Sequence, residues 1–164
     1  MAAHNVFVGL GSNLSDPRAQ VLRAMQALGG LPHTTILAHS SLYRSAPIGF
    51  LQQPDFINAV VRLDTELAPK AMLDVLLELE RNCGRTREFL NAPRTLDLDI
   101  LLYDNLQYHE HGLTIPHPQM HKRAFVLQPL LEIAPDCAIP GIGPAADALL
   151  QCGSQTLERV EDAA

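Results

Sequence analysis

The sequence predicts an α+β fold, a mainly antiparallel sheet with helices packed against it. Three observations predict it. Residues 34–44, 55–67 and 96–102 alternate apolar and polar side chains or are rich in β-branched residues, as strands require. Residues 17–28 and 69–83 carry apolar side chains at helical spacing. Proline and glycine punctuate these segments at Asp16-Pro17, Gly29-Gly30, Pro69 and Gly84, where helices would begin or end. At 164 residues and 47% hydrophobic, the chain suffices for a single domain, 1–164, with a real core.

Residues 5–10 form a short apolar strand through Val6, Phe7 and Val8, and Gly9 to Leu14 reads as a turn. That turn lacks the third glycine of the dinucleotide fingerprint and the Gly-Lys-Ser/Thr of a phosphate loop. Asp16 is a good N-cap and Pro17 a good first helical residue. Val21, Leu22, Met25 and Leu28 form the stripe of this helix, and Gly29-Gly30 stops it. The second strand, 34–44, leads into a loop, 46–54, containing Pro47, Gly49 and Pro54 and long enough to be functional. In the third strand, 55–67, Ile57, Ala59, Val61 and Leu63 face one way and Phe56, Asn58, Val60 and Arg62 the other. Asn58 needs hydrogen-bond partners in that apolar setting. A neighbouring loop or a flat heterocycle would serve equally on spacing alone.

Pro69 opens a second helix running to about Cys83, with Met72, Leu73, Val75, Leu76, Leu77 and Leu79 on its wide apolar side. Glu80 follows Leu76 by four residues, so it falls on or beside that stripe, at its edge or held by a charged group. After the strand at 96–102, Tyr103 to Tyr108 reads as a hairpin turning at Asp104-Asn105. Residues 113–118 are extended, because Pro116 and Pro118 forbid a helix. His117, fixed between those prolines, is the histidine best placed for function. Residues 119–127 resume a helical pattern with Lys122, Arg123 and Phe125, and Pro129 opens a further turn to Ala134. The remainder is mainly loop, with a short helix at 145–151 and a tail without an evident pattern. The resulting order, β-α-β-β-α-β followed by a C-terminal hairpin and short helices, is the ferredoxin-like plan.

The net charge of −6 argues against a general nucleic-acid binder, which would show a basic footprint. Cys83, Cys137 and Cys152 are odd in number and form no Cys-x-x-Cys, so neither a disulfide frame nor a zinc site is suggested. The N-terminus lacks the charged start and apolar core of a signal peptide. No apolar run is long enough to span a membrane. A cytoplasmic monomer is expected.

The chemistry concentrates in Asn91 to Leu102, Asn-Ala-Pro-Arg-Thr-Leu-Asp-Leu-Asp-Ile-Leu-Leu. Leu96, Leu98 and Ile100 share one face of this strand, and Asp97 and Asp99 share the other. The two aspartates would sit roughly 7 Å apart. At an effective dielectric near 20, their repulsion is on the order of 2 kcal/mol. A divalent cation between them would turn that cost into affinity. All-oxygen ligands suit Mg²⁺ or Mn²⁺, and Mg²⁺ usually sits on one or two carboxylates plus substrate phosphates. Arg94 precedes the strand, and Arg85 and Arg87 precede Arg94. Guanidinium forks match phosphate oxygens, so the segment resembles a polyphosphate clamp beside a metal site. A solvated edge strand with a basic loop is the alternative. So are two other classes: another Mg²⁺-dependent nucleotidyl- or phosphotransferase, and a non-catalytic ferredoxin-like binding module.

Over nearly its whole length the chain resembles the 6-hydroxymethyl-7,8-dihydropterin pyrophosphokinases of folate synthesis. The resemblance is carried by Gly11-Ser-Asn-Leu14, Tyr43-Arg44-Ser45, Gln53 to Ala59, Gly84-Arg85, Pro93 to Ile100, and Leu113 to His117 with Arg123 and Phe125. It implies transfer of a diphosphate from ATP to the pterin hydroxymethyl group, with release of AMP and the use of two Mg²⁺ ions. It implies that Asp97 and Asp99 hold the metal and, with Arg85 and Arg94, carry the catalysis. Arg87, His117 and Arg123 match positions at the nucleotide or triphosphate, and Ile100, Leu113 and Thr114 match the adenosine pocket. Asn58 matches the amide that reads the pterin ring, and Phe125 matches an aromatic stacked on it. Phe56 stands where a Tyr is frequent, keeping the stacking and losing a hydroxyl. Ser45, Pro47 and Ile48 match main-chain contacts to the pterin, and Glu80 matches a helix carboxylate close to the metal site. Pro118 replaces a frequent Tyr, and Phe89-Leu90-Asn91 lacks the basic residue or Trp common there. The resemblance implies that this last loop, with the loop 46–54, closes over the substrates.

Overall fold

A computed structural model describes residues 3–13, 16–46, 54–82, 96–153, 155 and 157–160. Its elements are β1 (His4–Ser12), α1 (Pro17–Gly29), β2 (Thr34–His39), β3 (Leu42–Ser45), β4 (Phe56–Thr65), α2 (Pro69–Asn82), β5 (Asp97–Tyr103), β6 (Tyr108–Glu110) and β7 (Leu113–Ile115). A 3-10 turn (Met120–Lys122), α3 (Ala124–Ile133), β8 (Ala138–Ile139), β9 (Gly143–Pro144), α4 (Ala145–Leu150) and β10 (Leu157–Val160) complete them. The main sheet is antiparallel, in the order β10-β3-β4-β1-β5, with β2 also paired to β4. With β2 and β3 taken as one interrupted strand, β4 and β1 lie at the centre and β2/β3 and β5 flank them. This is the ferredoxin-like order expected from the sequence.

The expected strand over 34–44 breaks at Ser40-Ser41. From His39 to Tyr43 the chain advances four residues while its partners on β4 go only from Val61 to Asn58. The extra residue is a bulge. Ser40 holds it, accepting from the Val60 N–H at 2.9 Å through its hydroxyl and donating its own N–H to the Val60 carbonyl at 2.8 Å.

The sheet has two apolar faces. Val6, Val8, Leu10, Ile57, Ala59, Val61, Leu63, Leu98 and Ile100 share one core cluster with Val21, Leu28, Met72 and Leu76 of α1 and α2. Phe7, Val60, Leu101 and Leu102 share the other with Val126, Leu127 and Leu130 of α3 and with α4. Neighbours in a strand normally face opposite ways. Leu101 and Leu102 both enter the second core because the β1–β5 register shifts there, Val8 opposing Ile100 and Phe7 opposing Leu102.

Several expectations change. β1 continues through Gly9 and Gly11 to Ser12 rather than turning at Gly9, because both neighbouring strands pair with it that far. Leu22 is exposed, since the buried stripe of α1 is Gln20, Val21, Ala24, Met25 and Leu28. The chain does turn at Asp104-Asn105, but the hairpin comes later: β6 pairs with β7 across His111-Gly112. Pro129 lies inside α3, not at a turn. It withholds one N–H from the carbonyl of Phe125, and the burial of Val126, Leu127, Pro129 and Leu130 carries the helix regardless. The tail is ordered as β10, the edge strand beside β3.

Candidate active site

The second face of the sheet opens at one end into a pocket walled by β1, β3, β4, β5 and α3. Its floor is set by register. Across β4, β1 and β5, Asn58, Gly11 and Asp97 lie side by side, and one step along lie Val60, Gly9 and Asp99. Directly opposed residues on paired strands share a face. The two carboxylates therefore stand beside two residues that have no side chains. A Cβ on Gly11 would lie 3.4 Å from the Asn58 Oδ1, and one on Gly9 would lie 3.5 Å from the Leu101 side chain. Glycine weakens a strand interior and marks a close backbone approach. Here the glycines keep the floor open between the amide and the acids.

Asn58 is 4% exposed. Its Nδ2 donates to the Ser45 Oγ at 2.7 Å and to the Tyr43 carbonyl at 3.4 Å. A carbonyl only accepts, which fixes the amide's orientation and puts Oδ1 on the Gly11 side. Phe56 lies opposite Ser45 on the neighbouring strand and lines the pocket beside Ala46.

Across the floor, α3 begins at Arg123, whose backbone is extended (φ −121°, ψ 107°), and the chain turns helical at Ala124. Arg123 and Phe125 both line the pocket, the guanidinium 5.5 Å from the ring centroid, within cation–π range. His117 is anchored by its N–H to the Leu101 carbonyl at 3.0 Å, and its Nδ1 accepts from the Gln119 N–H at 3.1 Å. The neutral ring therefore carries its proton on Nε2. Burial and the charge of Arg123 push its pKa down to about 4 against the opposing pull of Asp97. The imidazole is neutral at pH 7.

From the other face of the sheet, α2 contributes Glu80, 3% exposed. Its Oε2 accepts from the Leu98 N–H at 2.6 Å, between the two aspartates. The carboxylate that sequence alone left ambiguous thus grips the backbone of the acidic strand.

Of the residues expected from sequence, the pocket brings together Ser45, Phe56, Asn58, Asp97, Asp99, Arg123 and Phe125. Ile100 and Leu113 are buried in the core on the α1/α2 face, and the Thr114 hydroxyl pairs with the His109 Nδ1 at 2.8 Å. Neither these three nor His117 lines the pocket among the described residues. Pro47, Ile48, Arg85, Arg87 and Arg94 lie outside the described residues. Sequence reading missed Gly9 and Gly11, although a glycine alternating within an apolar strand was a usable signal, and it missed Leu101 and Val126, whose pattern is that of ordinary core. Among the described residues, no cluster of three or more His, Cys, Asp or Glu forms a metal cage. The chemistry of the donor set fits Mg²⁺ with phosphate: two strand carboxylates with open floor beside them.

Residues 7–135 match the family described as 7,8-dihydro-6-hydroxymethylpterin-pyrophosphokinase. A Pseudomonas aeruginosa protein named 2-amino-4-hydroxy-6-hydroxymethyldihydropteridine pyrophosphokinase is 44% identical over 158 residues, covering 96% of this chain and 98% of its own. One of the same name from Haemophilus influenzae is 46% identical over 134 residues, 82% of this chain and 84% of its own. The crystal structure of wild-type Plasmodium falciparum HPPK-DHPS with pteroate superposes with a TM-score of 0.72 at 14% identity. It covers 92% of this chain and 42% of that one, and it supports the fold alone. On the match to the family and to these relatives, the chain belongs to the 7,8-dihydro-6-hydroxymethylpterin pyrophosphokinase family.

Proposed function

We propose that this folate-pathway pyrophosphokinase transfers the β,γ-diphosphate of ATP to the hydroxymethyl group of 6-hydroxymethyl-7,8-dihydropterin and releases AMP, using two Mg²⁺ ions. The observation that carries the reading is the row Asn58–Gly11–Asp97. It sets a heterocycle-reading amide and a metal-binding carboxylate on either side of a gap. A substrate whose ring lies against Asn58 and Phe125 points its substituent toward Asp97 and Asp99.

In the reaction the hydroxymethyl oxygen bonds to the β-phosphorus, the bond from that phosphorus to the α,β-bridging oxygen breaks, and the bridging oxygen leaves with AMP. The hydroxyl proton passes to solvent. Asp97 and Asp99 would hold Mg²⁺, which when bound supplies charge neutralisation on phosphate oxygens and acidifies a coordinated hydroxyl. Asn58 Oδ1 accepts from a ring N–H. Phe125 and Phe56 supply aromatic faces for the ring. Arg123 and the neutral His117, through Nε2–H, donate to the phosphates. The three arginines at 85, 87 and 94 form the clamp that neutralises the charge spreading over the phosphoryl oxygens. Among the described pocket residues no side chain stands out as a strong general base, so positioning and charge neutralisation dominate.

The test mixes the protein with ATP, Mg²⁺ and the pterin and separates the nucleotides by chromatography. AMP formed only with pterin present, matched by pterin diphosphate, is expected. ADP would mean attack at the γ-phosphorus and a different reaction. Absence of both would refute the activity.

A further inference from the structure

We infer that Gln155, in the C-terminal tail, is a positioning residue for Arg123. The inference rests on the reading of Arg123 as a phosphate ligand. Gln155 lies beyond the segment that matches the family, yet its amide touches the polypeptide on both sides of Arg123. Its Oε1 accepts from the Ala124 N–H at 2.9 Å, and its Nε2 donates to the Lys122 carbonyl at 2.7 Å. The Ala124 N–H is one of the donors that a helix N-terminus leaves unpaired, and α3 has no capping bond from the side chain of its own N-cap residue. The carbonyl of Lys122 likewise ends a 3-10 turn. One planar amide satisfies both groups, as a strand neighbour would.

The consequence falls on Arg123. Its N–H donates to the Met120 carbonyl at 3.2 Å, and its carbonyl accepts from Val126 and Leu127 at 3.0 Å each. With Gln155 bonded to the preceding carbonyl and the following N–H, every polar backbone group from the Lys122 carbonyl to the Ala124 N–H is held. An arginine has many rotamers, and fixing its Cα narrows the positions its guanidinium can reach. Two residues beyond Gln155, β10 begins, with Leu157 opposite Ser45. The tail thus ties the wall bearing Arg123 and Phe125 to the strand bearing Ser45.

The test measures affinity for Mg²⁺–α,β-methylene-ATP by calorimetry, in wild type, Gln155→Met, Arg123→Ala and the double variant. Met keeps the length and deletes both hydrogen bonds. Gln155→Glu, which keeps the acceptor for Ala124 and loses the donor for Lys122, serves if Gln155→Met folds poorly. Gln155→Met should weaken binding roughly three- to tenfold, the scale of one net hydrogen bond. In the Arg123→Ala background the same change should alter affinity less than about twofold, because a residue acting through Arg123 has nothing left to position. Equal losses in both backgrounds, or no loss in either, would overturn the inference. Wild type that binds the analogue but makes no AMP would refute the functional reading and leave this readout intact. Wild type that fails to bind would overturn both.

Discussion

Side chains and their absence share the work at the scale of single residues. Asp97 and Asp99 share one face of β5, and asparagine matches aspartate in size and keeps a side-chain oxygen that accepts hydrogen bonds, so neutralising either should not cost the fold. Asp97→Asn and Asp99→Asn are expected to lower turnover by about 10³ or more. Their melting temperatures should stay within a few degrees of wild type, and activity assays beside thermal melts check both halves. Gly11→Val tests the open floor. Valine suits a strand better than glycine, so stability should hold or rise. Its Cγ atoms would crowd the Asn58 amide, and KM for the pterin should rise about tenfold or more with KM for ATP little changed. Equal changes in both constants would contradict the placement of the pterin over Asn58.

His117 supplies a pH dependence. Its folded pKa, about 4, lies below the ordinary 6.5. Above pH 6.5 the ring is neutral folded or unfolded and has no effect. As pH falls from 6.5 toward 4, the unfolded chain takes up the proton first and stability declines. For a half-buried ring the loss should be about 1–2 kcal/mol after screening. His117→Gln should flatten that part of the stability curve, measured by urea unfolding between pH 4 and 7.

Elements are held in register by a few polar staples. Glu132 of α3 reaches the bulge between β2 and β3, where its carboxylate accepts from the Ser41 N–H at 3.0 Å, the Ser41 hydroxyl at 2.9 Å and the Tyr43 hydroxyl at 2.6 Å. Burial raises its pKa, but these bonds and the charge of Arg159 outweigh burial and hold it below the ordinary value. Burial and the bond to Glu132 push Tyr43 up to about 12. The staple joins the helix carrying Phe125 to the strand carrying Ser45. Glu132→Ala should therefore destabilise the fold by about 1–2 kcal/mol, discounted for exposure, and should raise KM for the pterin. The depressed carboxyl contributes above pH 4.5 and loses its contribution as pH falls through the folded pKa. The stability difference between wild type and Glu132→Ala should accordingly shrink in acid. A constant difference would remove the carboxylate from the account.

At the scale of the whole molecule, the sheet divides labour between its faces. One face builds the core with α1 and α2. The other builds a smaller core with α3 and α4 and leaves its end open as the pocket. Among the described residues, no helix is long and apolar enough to cross a membrane. Because the site draws on β1, β3, β4, β5 and α3 together, ligand binding should stabilise the entire fold. At about 100 times Kd, Mg²⁺–ATP should add about 2.7 kcal/mol, or roughly 5–10 °C in melting temperature for a chain of this size. Chelating the metal with EDTA should abolish most of that shift. A shift of equal size without divalent metal would separate nucleotide binding from Asp97 and Asp99.

Local pattern by itself determined α1 and α2, the faces of the third strand and the acidic strand, and the order of elements through that strand. The reason is that period two and period 3.6 are properties of consecutive residues. The Asp97–Asp99 pair was conspicuous because two like charges on one strand face violate the same local rule. The roles proposed for Asn58, Phe125 and His117 came from resemblance, since spacing left Asn58 equally suited to a loop. Only the tertiary structure decided what stands beside what. Gly9 and Gly11 looked like a turn because the strands that pair with them are some 50 and 90 residues away in sequence. Pro129 looked like a breaker because the burial that holds α3 comes from the sheet. The tail looked featureless because β10 takes its register from β3 and Gln155 finds its partners around Arg123. Pairing across a sheet and capping at long range are contacts between distant residues, and no periodicity in the chain records them.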